Sequence, residues 1–335
     1  MNKHKFVSFQ SLRLFAFLVI FMLHAGKYRI VPFEDSGRYA VVFFIMLSGF
    51  LYGFYRNNYQ LKDFYLFIKK KILKIWPLYL LSIIMIIPLT GIFQTDFSFQ
   101  ALWPWCTKLF LNVFMLQSWI PNFGVVYSFN YVGWFISVYI FLILLTLPIL
   151  TIIQKIAYNK KSIIICMVMT FLFFILYEHV IELFRFDALY WLFTFPPSRI
   201  FEYVFAILLG MFTNLIFKDM SNKKISTFWY TVFEIISIIF LVITIFIIDS
   251  HEYWSMTIGW IIPITFILFV FLGNMTFEAF LFHEVIDRYV YMIPNINNGL
   301  TYIKIIFIFF YILIITFIIS YLLHQFAVLK KESKG

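Results

Sequence analysis

SLRLFAFLVIFMLHAG, residues 11–26, holds two ionisable side chains, Arg13 and His24, with ten apolar residues between them. Eleven helical steps make three turns plus about 20°, so both belong to one stripe of a helix, about 16 Å apart along its axis. The run is of membrane length, and a charge inside a bilayer usually faces a protein interior or a water-filled path. A permanent cation beneath a titratable imidazole therefore points to chemistry within a membrane. The plainer reading has Arg13 snorkelling to the headgroups and His24 at the far interface. Arg13 within the run, and the lack of a small-x-small site before the charged segment 27–38, argue against a cleaved signal.

Outward from this stretch the chain keeps the same character. Of its 335 residues 63% are hydrophobic and 13% charged, against about 25% charged in soluble domains. That composition predicts an all-α, polytopic integral membrane protein. Ten apolar windows are long enough to cross: roughly 8–26, 37–55, 75–93, 131–153, 163–183, 197–217, 228–248, 256–272, 275–293 and 301–326. With both termini cytoplasmic, the inner segments hold seventeen of the 26 basic residues, including Arg56, Lys62, Lys69, Lys70, Lys71 and Lys74. Seven fall in outer loops and their flanks, and Arg13 and Arg199 lie within spans. This asymmetry obeys the positive-inside rule. It accounts for the net charge of +10 without nucleic acid. Residues 109–120 (LFLNVFMLQSWI) are apolar but short. They are assigned to a long outer segment, 94–130, as a re-entrant or interfacial piece, because counting them as a span would put Lys155–Lys161 outside.

The whole of 1–335 reads as a single membrane domain with no soluble appendage. Cys106 and Cys166 make no disulfide framework. With no CxxC, HExxH, Walker loop or GxGxxG, no metal and no nucleotide fold is expected. Inverted repeats of the transporter kind are not visible.

Four further sites carry polar residues where lipid would reject them. Ser48-Gly49-Phe50 closes the run VVFFIMLSGFLYG. Lys71 and Lys74 stand one helical turn apart before Trp76-Pro77. FPPSRIFEYVFAILLG sets Arg199 and Glu202 three residues apart, and MTFEAFLFHEVIDR brings Glu278, His283, Glu284, Asp287 and Arg288 into the ninth window.

Taken in order, Arg-x10-His in the first window, FF-x-x-LSGF ending the second, a paired basic motif before aromatic-Pro, and TFE…FHE near the end resemble the membrane-bound acyltransferase family 3, enzymes that O-acylate bacterial surface glycans. The resemblance covers nearly the whole chain. It implies a ten-helix core in the bacterial inner membrane, a cytosolic acyl-CoA donor, usually acetyl-CoA, and a polysaccharide or lipid-linked glycan acceptor reached from the outside. It also implies that His24 is the essential first-helix histidine and Arg13 its paired cation. Lys71 and Lys74 stand where the family has Arg-x-x-Arg, so the charge is kept without the planar fork that grips phosphate. Thr276 replaces a serine in the late motif. Tyr139 stands where many members carry a glutamate after Trp134.

Acyl transfer from a thioester to a sugar hydroxyl needs a base with a near-neutral pKa, which suits His24. Arg13, toward the cytosol, suits the donor's phosphates or amides; its alternative is a structural ion pair. Lys71 and Lys74 suit phosphate, although topology alone would place lysines there. Arg199 and Glu202 either neutralise each other within one helix or orient a group in the site. His283 divides between a satisfied core histidine and a site member, with Asp287 one turn away, and Glu278 has no local partner. Ser48 suits a substrate contact or a transient acyl carrier, but SGF also allows close helix packing. Trp119 and Trp134, with Trp103 and Trp105, suit sugar stacking or, for those in the outer segment, the interfacial aromatic belt. The competing class is a transporter or flippase of a lipid-linked glycan that uses the same polar path without chemistry. A glycan polymerase, which would need an Arg-rich outer loop, fits less well, since 94–130 has no arginine.

Overall fold

The computed structural model describes residues 36–94 and 97–220, together with Phe17, Ile20 and Phe21. Arg13, His24, Glu278, His283 and the last four expected spans lie outside the described residues. All regular structure among the described residues is helical. Six helices organise it: α1 (Ser36–Phe54), α2 (Phe64–Ile86), α3 (Phe99–Val113), α4 (Gly133–Ile156), α5 (Lys160–Leu183) and α6 (Ile200–Met220). Among the described residues four stretches are long and apolar enough to span a bilayer: Leu61–Thr90, Gly133–Ile156, Lys160–Leu183 and Pro196–Ile216. The chain is a helical membrane protein.

The expected windows at 37–55, 131–153, 163–183 and 197–217 match α1, α4, α5 and α6 closely. The window at 75–93 needs correction, because α2 begins at Phe64 and a 3-10 turn carries it on from Ile87 to Thr90. A hydropathy window stops at the lysines, but the helix does not. Long lysine stems lie along apolar surface while the ammonium stays in water. Pro77 sits inside α2, where it removes one backbone donor. Residues 109–120 also form no single element. They straddle the end of α3, a reversal at Met115 (φ +57°) and a 3-10 turn at Gln117–Trp119. Ser98 caps the start of α3 by accepting from the Ala101 amide at 3.4 Å.

The tightest seam joins α1 to α6, and glycines make it. A Cβ on Gly49 would stand 2.6 Å from the Tyr203 carbonyl oxygen, one on Gly53 1.9 Å from that of Ile207, and one on Gly210 2.1 Å from that of Phe50. Backbones this close leave no room for any side chain. The Asn214 side-chain amide adds a bond to the Phe54 carbonyl, 3.0 Å, at the end of α1. Because partners rise together along both chains, α1 and α6 run parallel. If α2, α4 and α5 each cross once, parallel α1 and α6 require 94–130 to return to the side it left. That agrees with reading 94–130 as a segment that does not cross.

A buried polar network pins this segment down. Gln117 donates to the Tyr79 hydroxyl (2.9 Å), which donates to Asn112 (3.3 Å); Asn112 in turn donates to Ser128 (2.8 Å). Asn130 donates to Ser82 at 2.9 Å. The α2 residues Tyr79 and Ser82 thus anchor both arms of the segment. Much of α5, by contrast, presents large apolar side chains outward, among them Ile165, Val168, Leu172 and Leu176, as a lipid-facing helix does.

Candidate functional site

The approach to α6 is irregular, and that irregularity puts charge in the interior. Asp187 accepts from the Tyr190 amide at 2.8 Å and starts a π-helical turn, Leu189–Thr194. Phe195 is extended (φ −72°, ψ 122°), as a residue before proline must be. Pro196 and Pro197 then open a 3-10 turn to Arg199, their fixed φ suiting helix entry. Along this path Leu192, Phe193, Thr194, Pro196, Ser198 and Arg199 are all buried.

Arg199 and Glu202 are each 2% exposed. Arg199 Nη2 stands 2.8 Å from Glu202 Oε1, but the N–H does not point along a hydrogen-bond direction. Nη1 donates to the Leu192 carbonyl at 3.2 Å, and the guanidinium lies 5.1 Å from the centre of the Phe193 ring. Among the described residues Arg199 Nε meets no hydrogen-bond partner. Glu202 belongs to the first turn of α6, where the helix dipole favours an anion. The pair is thus charge-balanced and tightly enclosed, and Nε, Nη2 and Glu202 Oε1 each lack a hydrogen-bond partner among the described residues.

Depth follows from the α1–α6 register. Gly49 against Tyr203 and Ala206, Gly53 against Ile207, and Gly210 against Phe50 and Phe54 put Arg199 opposite residues 39–45 of α1 and Glu202 opposite 42–48. Residues 39–45 are three to nine steps into α1, so the pair lies about 5–14 Å below the start of that helix.

Hydroxyls line the neighbouring space. Tyr203 Oη and Thr146 Oγ1 are 2.7 Å apart, the Tyr203 hydroxyl also interacts with Ser48, and Ser48 Oγ donates to Tyr139 Oη at 3.4 Å. A chain of four hydroxyls therefore links α1, α4 and α6 beside the ion pair. Tyr139, at the position where a carboxylate was looked for, is in this chain.

Trp134 is buried and packs its ring 4.8 Å from that of Phe193. Trp119 stands edge-on to Phe141 (5.1 Å) and Phe195 (6.0 Å). Both tryptophans thereby back the segment that carries Arg199. Lys71 lies over the rings of Tyr52 and Phe67, at 5.1 and 5.7 Å, and Lys74 is exposed. The structure thus gathers Ser48, Trp119, Trp134, Arg199 and Glu202, and sets Lys71 and Lys74 apart at the basic end of α2. The sequence reading missed Thr146 and Tyr203. The signal for Thr146 was a lone hydroxyl in the apolar run FLILLTLPIL; Tyr203 carried none beyond its place after Glu202. No group of three or more His, Cys, Asp or Glu side chains gathers among the described residues.

Fold and site define a class: a multispan helical protein that holds charges and hydroxyls within its bundle. The sequence model of the acyltransferase domain, acyltransferase family 3, matches residues 6–325, and the chain belongs to that family. Comparison with curated proteins and with solved structures returns no match.

Proposed function

We propose that the chain transfers an acyl group, acetyl by preference, from cytosolic acyl-CoA to a hydroxyl of a cell-surface or lipid-linked carbohydrate, with His24 as general base. The observation that carries this reading is the family match over residues 6–325. Membership implies an acyltransferase; the donor, the acceptor and the base are proposals. Helical periodicity supports His24. Residues 13, 17, 20 and 24 share one stripe of a helix, and its two described members, Phe17 and Ile20, are 0% and 1% exposed. A stripe that faces the core at 17 and 20 is a fitting place for Arg13 and His24.

In this reading the protein spans a bacterial inner membrane ten times with both termini inside. The phosphates of acyl-CoA meet Lys71, Lys74 and Arg13 at the cytoplasmic end. The thioester reaches into the bundle toward Ser48, Arg199 and Glu202. The glycan enters from the outer side, past Trp119 and Trp134, and His24 takes the proton of the attacking hydroxyl. His283 and Glu278 complete the polar lining. The test is transfer of labelled acetyl from acetyl-CoA to surface glycan in membranes. His24→Ala should abolish transfer while the protein still inserts at normal abundance, whereas unchanged labelling would refute His24 as the base.

A further inference from the structure

We propose that Arg199 is the donor that receives the acyl carbonyl: its unshared N–H groups polarise the thioester and hold the oxyanion formed during transfer, and Glu202 keeps the guanidinium in place. The proposal rests on the acyl-transfer reading above and deepens it.

A guanidinium has five N–H donors. One is used at the Leu192 carbonyl; Nη2 stands beside Glu202 Oε1, itself unpaired, without pointing at it; and Nε has no acceptor among the described residues. Arg199 is nevertheless 2% exposed, and buried donors are rarely left unpaired, because water cannot compensate them. Phe193 covers one face of the guanidinium, so a ligand meets its donors at the edge.

Charge selects which ligand fits. Glu202 already balances Arg199, so a phosphate or carboxylate would bring an uncompensated anion into the bundle, at a large desolvation cost. A neutral carbonyl brings no charge and supplies an acceptor for Nε. Negative charge then develops on its oxygen only as the alcohol attacks, where a fixed donor in a water-poor site helps most. Position agrees. Lys71 lies over Tyr52, and Arg199 stands opposite residues 39–45, about 10–20 Å deeper along α1. An extended donor can therefore keep its phosphates at the lysines while its acyl end reaches the arginine.

The step balances without any further reagent. The acceptor oxygen bonds to the carbonyl carbon and its proton passes to the base. The carbonyl oxygen becomes an oxyanion against Arg199, which stays protonated throughout. Collapse breaks the C–S bond, and the CoA thiolate leaves and takes up a proton.

The experiment uses the full chain in lipid nanodiscs with [1-13C]acetyl-CoA. Bound to wild type, the labelled carbonyl stretch should move below its position in water. In Arg199→Lys the shift should be lost and kcat for acetyl transfer should fall about 100-fold, while the KM for acetyl-CoA stays within about twofold, since the phosphates are held elsewhere. Arg199→Met/Glu202→Leu removes both charges together, which spares the fold, and it should behave like the lysine variant. An unshifted carbonyl in wild type, or undiminished transfer by either variant, overturns the assignment to Arg199 and leaves the acyl-transfer reading intact. A wild-type chain that transfers no acetyl from acetyl-CoA to surface glycan overturns both.

Discussion

At the scale of single residues, Arg199 and Glu202 show how a helical spacing becomes a constraint. Three positions apart near the start of α6, they either cancel each other or serve a ligand; the structure has them paired and still leaves Arg199 with unused donors. Breaking a buried pair by removing one partner leaves a bare charge. Glu202→Gln should therefore cost about 3–5 kcal/mol, read as a large fall in the thermal midpoint in detergent. Tyr203→Phe is milder. It deletes the 2.7 Å bond to Thr146, but Thr146 keeps its bond to the Leu142 carbonyl, so the loss should be about 0.5–1.5 kcal/mol. Spacing exposed the ion pair in the sequence because both residues sit on one helix. The hydroxyl chain stayed hidden because Ser48, Tyr139, Thr146 and Tyr203 come from three helices, and only tertiary packing brings them together.

At the scale of elements, backbone contact between α1 and α6 fixes the depth of the site. Gly53→Ala would press a methyl into the Ile207 carbonyl, 1.9 Å away, and the helices would have to part. A destabilisation of at least about 1–3 kcal/mol is expected, together with loss of transfer as α1 and α6 lose their register. Gly124→Ala is the control, because its Cβ would meet only the Asn122 side chain at 3.1 Å. Parallel thermal melts and transfer assays of the two variants check this, and equal effects would contradict the seam. Helix existence was legible from hydropathy at α1, α4, α5 and α6. The start of α2 was not, since lysine heads end an apolar window long before they end a helix. The course of 109–120 was not either, because its reversal depends on buried bonds from Asn112 and Gln117 to distant residues.

At the scale of the whole molecule, the charge asymmetry predicts a sidedness, and the parallel run of α1 and α6 is compatible with it. One is a count of lysines and arginines; the other is a register of backbone contacts. Cysteines introduced at Lys62 and Tyr158 should react with an impermeant thiol reagent from one side of the membrane, and cysteines at Asn122 and Asp187 from the other, in a background lacking Cys106 and Cys166. Labelling of Lys62→Cys and Asn122→Cys from the same side would overturn this arrangement. Membership of the acyltransferase family implies acyl transfer, and the interior ion pair and the buried Phe17 and Ile20 fit the reading proposed above. The most direct measurement is mass spectrometry of surface polysaccharides from cells with and without the protein. Loss of acetyl mass increments from the glycan when the chain is absent, restored by wild type and not by His24→Ala, is the predicted result. Glycans of identical mass in both cells, or full restoration by His24→Ala, would contradict it.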